Sequence, residues 1–372
     1  MAAPGSLRLV LLAAVTAFSG AGCRSMLYSQ TGDVTAHFAV EHMTPYVMAT
    51  DDADMACSTG AALGNFTMAF ERVTDRPDKA ALSALVSAAT CAESGAWEAE
   101  LDGARALRAG RSDDAQDARL REKRLHERAA RRYYAAYQRL VAAYGAPGAD
   151  CPEFENEPDR ALYMMGLIAG AQSVLHDRAA EGNVGVPLDV PRNAARGTEC
   201  LKNDTWFGAP AALRAGIWLG VPGAAPEGQD PWKVLDEAVP FGDKAGVRLP
   251  RAIQIESLYA AGRLDDVKIA ITAFAKSLAD NPPSKDYRLL DMNAQLIVQQ
   301  MSDRLWTRET GHRTPGGALG TFPGAPAAAQ DASLLDGLDE PAAPPSAPAA
   351  PSVAPPPATP STPPVPGKGA LK

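Results

Sequence analysis

Two cysteines placed symmetrically about one turn constrain this chain most tightly. Cys57 and Cys91 each lie 17 residues from Thr74. Thr74 opens the segment Thr74-Asp-Arg-Pro77, in which Thr74 or Asp75 can cap a helix and Pro77 suits a first turn. The flanking stretches, Asp52 to Val73 and Asp75 to Ala96, read as helices, so an antiparallel hairpin sets the two cysteines at one level. Cys57, Ala61 and Gly64 share a stripe of the first helix, and Ala81, Ala84, Ala88 and Cys91 share one of the second. Side chains this small let the backbones approach to disulfide distance. Of the five cysteines, Cys23 has a separate role, and pairing Cys57 with Cys91 leaves Cys151 to pair with Cys200 by elimination. The alternative is four buried free thiols. Zinc is disfavoured, because no C-x-x-C motif or neighbouring histidine pair supplies its spacing.

Cys23 follows a segment with the layout of a bacterial lipoprotein export signal. Arg8 gives a weakly basic start, Leu9 to Phe18 is apolar, and Gly20-Ala-Gly22 precedes the cysteine. Ten apolar residues are too few to span a bilayer as a helix. Residues 1–22 are therefore expected to be removed, with Cys23 becoming the lipidated N-terminus. Simple secretion and an ordinary buried helix are the alternatives. Four remaining cysteines, an even number, agree with an oxidising compartment. No second run reaches the ~18 apolar residues of a membrane span, so membrane attachment rests on Cys23. The expected location is the periplasmic side of a bacterial membrane. Arg24 in place of Asp favours the outer membrane, by likeness to enterobacterial sorting.

Composition points to an all-α chain. It is 46% hydrophobic yet only 6% aromatic, and its many alanines suit closely packed helices. A formal charge of -8 gives no overall reason to bind nucleic acid. The one basic run, Arg119 to Arg139, is interrupted by Glu122 and Glu127 and reads as a solvated helix face. Near Thr314 the composition shifts, and Pro315 to Lys372 holds 15 of the 31 prolines. Such a segment buries too little apolar surface to offset its conformational entropy. The expected organisation is a signal peptide at 1–22, a helical-repeat domain at 23–312 and a disordered Pro/Ala-rich tail at 313–372. Within the tail, Leu334, Leu335 and Leu338 lie on one face of a short helical pattern, either a docking motif or a chance cluster.

Between the ends the pattern repeats as helix, short turn, helix. Ala115 to Tyr144 carries apolar residues every three to five positions and stops at Gly145-Ala-Pro-Gly148. Arg160 to Leu175 follows, with small Gly166, Gly170 and Ala171 admitting a close neighbour. Further helices are predicted at about 189–202, 208–220 and 230–244. Ala252 to Ala261 turns at Gly262-Arg-Leu264 into Asp265 to Ala279, as a tetratricopeptide-type hairpin requires. Ser284 to Thr307 completes the series and is expected to cap the stack. The fold expected is a tetratricopeptide-like α-solenoid of stacked helical hairpins.

Several local phrases in this order resemble the T components of tripartite ATP-independent periplasmic (TRAP) transporters. These are Thr50-Asp-Asp-Ala-Asp54, the long helix ending near Tyr144, Arg160-Ala-Leu-Tyr-Met-Met-Gly166 and Trp206-Phe-Gly-Ala-Pro-Ala-Ala-Leu213. Ile253 to Phe274 and Leu290-Asp-Met-Asn-Ala-Gln-Leu-Ile297 complete the set, and the likeness covers roughly residues 23 to 310. The resemblance implies a periplasmic lipoprotein of tetratricopeptide-like helix pairs whose partner is a transporter's substrate-binding protein, and whose ligand is a small organic molecule. The four disulfide candidates and the Pro-rich tail depart from that family.

No catalytic constellation is legible. His37, His42, His126, His176 and His312 are scattered, and the spacing of the first two misses the i, i+4 face of a helical zinc site. The chain lacks G-x-S-x-G, a phosphate loop and a dinucleotide fingerprint. Asp51, Asp52 and Asp54 are explained by capping and the helix dipole, and the calcium-loop pattern is missing. Glu100 with Asp102, and Glu153, Glu155 and Glu157, are acidic residues of helix ends and loops, with nothing to set them across a cleft. No enzyme, metal or cofactor is expected. Trp206, Phe207, Trp218 and Trp232 are concentrated in a chain poor in aromatics, and line either a ligand groove or a core. Two functions follow: a transport accessory, or a non-catalytic envelope scaffold for protein–protein contacts. Homo-oligomerisation is compatible with both.

Overall fold

In the computed structural model, residues 26–74 and 77–324 are described. The segment expected to be a signal peptide at 1–22, the expected lipid-acceptor Cys23, the leucine cluster Leu334, Leu335 and Leu338, and the tail beyond residue 324 lie outside them. The described residues form eleven helices and no strand, so the chain is all-α. None of these helices is long and apolar enough to cross a membrane.

Helix α1 covers 26–48 and contains a π-turn at Ala39–Met43. It was not anticipated, because Gly32 and Pro45 are poor helix formers. Packing replaces propensity here: Ala36, Ala39 and Met48 are buried.

The first hairpin is α2 (Ala53–Ala69) and α3 (Asp78–Arg108). Asp52 caps α2, its carboxylate accepting from the Met55 amide at 2.7 Å. The Cys57–Cys91 bridge joins the two helices with a Cα separation of 5.4 Å. The facing stripe differs by one position from the sequence reading: Gly60 is buried and Ala61 is exposed. A Cβ on Gly60 would lie 2.5 Å from the Ala84 carbonyl oxygen, so only glycine permits this approach. Helix α3 runs to Arg108, well past the expected end at Ala96, because Ala96, Ala99, Leu101 and Ala106 continue its buried side.

Helix α4 (Ser112–Tyr144) returns along α3, with alanines of both helices in contact. Helix α5 (Glu157–Ala179) lies against α4, where Gly166 faces Leu140 and Gly170 faces Tyr137. Then follow α6 (Val190–Gly197), α7 (Ala209–Gly220), α8 (Pro231–Ala245), α9 (Leu249–Ala260), α10 (Leu264–Asp280) and α11 (Arg288–Thr310). The expected 189–202 helix breaks into a 3-10 turn at Thr198–Cys200, where Cys151–Cys200 ties it to the loop before α5 at a Cα separation of 5.3 Å.

Helix α11 does more than cap a stack. Besides packing on α9 and α10, it docks on α3, where Arg304 meets Glu100 at 2.5 Å and Gln300 contacts the Trp97 carbonyl. Arg288 also reaches Asp51, beside α1, at 2.9 Å. The last helix thus closes the array onto the first hairpin. The chain stays packed beyond the expected limit at residue 312: Trp306 donates to the Thr321 carbonyl at 3.0 Å, and Leu319 and Phe322 join the apolar cluster of α9 to α11.

A candidate ligand cavity backed by a buried histidine pair

Closure by α11 leaves a space between α5, α7, α9 and α11, a cavity of about 680 Å³. Small residues open it. Ala171, Gly216, Gly220, Ala260 and Ala261 line it together with Ile, Leu, Val and Met side chains. Cavities of this size and apolar lining are characteristic of small-molecule sites. Its polar groups are few: Gln172 and Arg178 from α5, Trp232 from α8, Glu256, Ser257 and Tyr259 from α9, and Arg304 from α11. A smaller cavity of about 100 Å³ shares Ile168, Gln172, Leu249 and Ile297 with it and extends to Glu93 and Tyr133.

Behind that wall is a buried chain of hydrogen bonds. Tyr133 donates to one oxygen of Glu93 at 2.6 Å, and His176 Nε2 lies 3.0 Å from the other. The Nδ1 atoms of His176 and His126 are 2.8 Å apart, so one proton bridges the two rings. Glu93, His126, Tyr133 and His176 are all under 9% exposed. Burial opposes ionisation of Glu93, but the charge and hydrogen bond of His176 and the hydrogen bond from Tyr133 outweigh it and hold this carboxyl below its usual range. Burial, reinforced by His176, pushes His126 down to about 4, so it is neutral at pH 7. Burial, then Glu93, keeps the Tyr133 phenol protonated.

Glu256 behaves in the opposite way. Burial, then repulsion from Glu93, raises it to about 7, with Arg304 opposing. Arg304 is already committed, since its Nε and Nη2 both donate to Glu100 Oε2, at 3.0 and 2.5 Å, and its guanidinium lies over the Tyr259 ring.

The sequence-derived site residues separate. Trp232 lines the cavity and stacks on Arg263, with 4.8 Å from guanidinium to ring centroid. Trp206 is instead buried at 2% exposure and forms an edge-on cluster with Phe207 and Tyr287. Trp218 lies under Arg214. The four aromatics therefore do not share one groove. Cys57, Cys91, Cys151 and Cys200 form the two bridges expected of them. Among the described residues, no three His, Cys, Asp or Glu side chains are grouped to hold a metal ion.

Sequence reading missed Glu93, His126 and His176 because they are far apart in the chain. One signal was present. His126, Ala129 and Tyr133 recur at helical spacing on the buried face of α4, which marks His126 as an interior residue. Glu256 and Arg304 carried no such mark. Comparison of the chain with protein-family models, curated proteins and solved structures finds no match.

Proposed function

We propose that this protein is a lipid-anchored accessory of the bacterial envelope that holds a small organic ligand and passes it to or from the substrate-binding subunit of a TRAP-type transporter. The cavity between α5, α7, α9 and α11 is the observation that carries this reading. It is apolar, has few polar groups, and is bounded by helices from the middle and the C-terminal end of the fold. The two disulfides support an extracytoplasmic compartment. The export-type segment before Cys23 supports the anchor, and the resemblance of the ordered phrases to TRAP T components supports the partner. The activity is binding and hand-over, with no bond made or broken.

The test is affinity capture from cross-linked envelopes, with mass spectrometry of both proteins and extracted small molecules. Recovery of a TRAP substrate-binding subunit together with a small organic molecule is expected. Cys23→Ser should move the protein into the soluble periplasmic fraction. Retention in the membrane with unchanged processing would refute the anchor.

One observation favours the second reading, an envelope scaffold. Phe38 at 56%, Tyr46 at 80% and Phe66 at 53% exposure leave apolar surface on α1 and α2. Capture of outer-membrane or peptidoglycan-linked proteins alone, with no extracted ligand, would establish that reading instead.

A further inference from the structure

The cavity's polar groups are unequal in what they still lack. Arg304 has its counter-ion in Glu100, and Arg178 stands exposed at the rim in contact with water. Glu256 is half-buried on the cavity wall and has no hydrogen-bond or ion-pair partner among the described residues. Its carboxylate keeps contact with the cavity solvent, but burial disfavours its charge and no protein donor or counter-ion offsets that. The groups around it do not supply one. Glu93 on α3 repels it, Tyr133 on α4 spends its proton on Glu93, and His126 on α4 and His176 on α5 are engaged with each other and with Glu93. Arg304 on α11 is the cation that acts on Glu256, and it is paired with Glu100.

We infer that the cavity selects an amphipathic ammonium ligand, whose alkyl or aryl body lies in the apolar lining and whose charged amine hydrogen-bonds to Glu256. The inference rests on the cavity being a ligand site, as proposed above, and adds the charge class of what enters it. An ammonium supplies Glu256 with hydrogen-bond donors and with the counter-charge that the protein does not provide. A carboxylate would meet Glu256 in repulsion, with its nearest cation already paired. Because Glu256 titrates near neutrality, ammonium binding displaces a proton and tightens as pH rises from 6 to 8.

The test compares three probes of equal chain length, n-decylamine, sodium decanoate and decan-1-ol, by isothermal titration calorimetry on the full-length protein at pH 6 and pH 8. Decylamine is expected to bind at least ~10-fold tighter than the other two at pH 8, with a smaller margin at pH 6. Glu256→Gln, an isosteric change at an unpartnered side chain, should abolish the margin and leave decanol binding unaltered. Gly220→Trp should weaken all three probes, because Gly220 lines the cavity and a Cβ there meets no atom within 4 Å. Circular dichroism of both variants checks that the helices persist. Equal or tighter binding of decanoate, or a decylamine preference that survives Glu256→Gln, overturns the charge class while leaving the cavity as a ligand site. Failure of all three probes to bind the native protein overturns the ligand site itself.

Discussion

Arg248 and Asp291 form an ion pair at 2.8 Å with no side-chain surface exposed on either residue. Asp291, in the first turn of α11, also accepts from the Arg248 amide at 2.8 Å. The rest of the guanidinium is used at the end of α10: Nε donates to the Ser277 hydroxyl at 2.9 Å, and Nη2 donates to the Ser277 and Asn281 carbonyls. One side chain thus joins the start of α9, the end of α10 and the start of α11. Burying two charges is costly, and this pair is tolerable because nearly every donor and acceptor is satisfied. Asp291→Asn or Arg248→Met leaves one charge uncompensated. Each should lower unfolding free energy by about 3–5 kcal/mol in urea denaturation. A loss below about 1 kcal/mol would mean that water reaches the pair.

Gly60 should tolerate no side chain. A Cβ placed there meets the Ala84 carbonyl and Ser87 Cβ at 2.5 and 2.6 Å, so α2 must move away from α3. Gly60→Val is expected to destabilise by about 1–3 kcal/mol, as overpacked cores do. The Cys57–Cys91 bridge should be reduced faster by dithiothreitol in that variant, as followed by alkylation of the released thiols and mass spectrometry. Cys57→Ser with Cys91→Ser should itself cost roughly 3–4 kcal/mol in the chain-entropy model.

The histidine pair gives the fold an acid sensitivity with a defined sign. His126 is held at about 4, against an ordinary value of 6.5. The unfolded chain therefore takes up a proton between these values while the native state does not, so stability falls as pH drops from 6.5 towards 4. The contribution is at most about 3 kcal/mol. His126→Gln removes it, so thermal melts of the variant should depend less on pH over this window than those of the native protein. Identical slopes would show that the pair is hydrated.

The segment after α11 is part of the folded body. Truncation after residue 324 should leave melting unchanged. Truncation after residue 312 removes the Thr321 carbonyl that Trp306 binds, the Gly320 carbonyl that Thr272 binds, and the Leu319 and Phe322 side chains. A loss of about 2–4 kcal/mol is expected from those contacts, measured by differential scanning calorimetry.

The long hairpins were legible because helical periodicity and turn chemistry are local. Gly262 in the left-handed region between α9 and α10 is such a case, as is the placing of Cys57 opposite Cys91. Helix α1 was illegible because its stability comes from burial against helices later in the chain. The Arg248–Asp291 pair and the Glu93–His176–His126 chain were illegible for a related reason. Their members lie 43 and up to 83 positions apart, and isolated charged residues normally read as surface. Trp206, Trp218 and Trp232 carry the same composition signal, yet Trp232 lines the cavity while Trp206 is buried beside Phe207 and Tyr287 and Trp218 lies under Arg214. Local patterning records which face of a helix is apolar, and leaves open whether a helix or a void covers it.

Glu100 and Arg304 are separated by 204 positions, yet their pairing seals α11 against α3. Contacts of such long sequence separation close late, because the intervening loop entropy must be overcome first. The compartment that α11 walls is therefore absent from any incomplete chain. Loading has to follow completion of the fold. Whatever the cavity carries is acquired after folding, and none of it travels with the unfinished polypeptide.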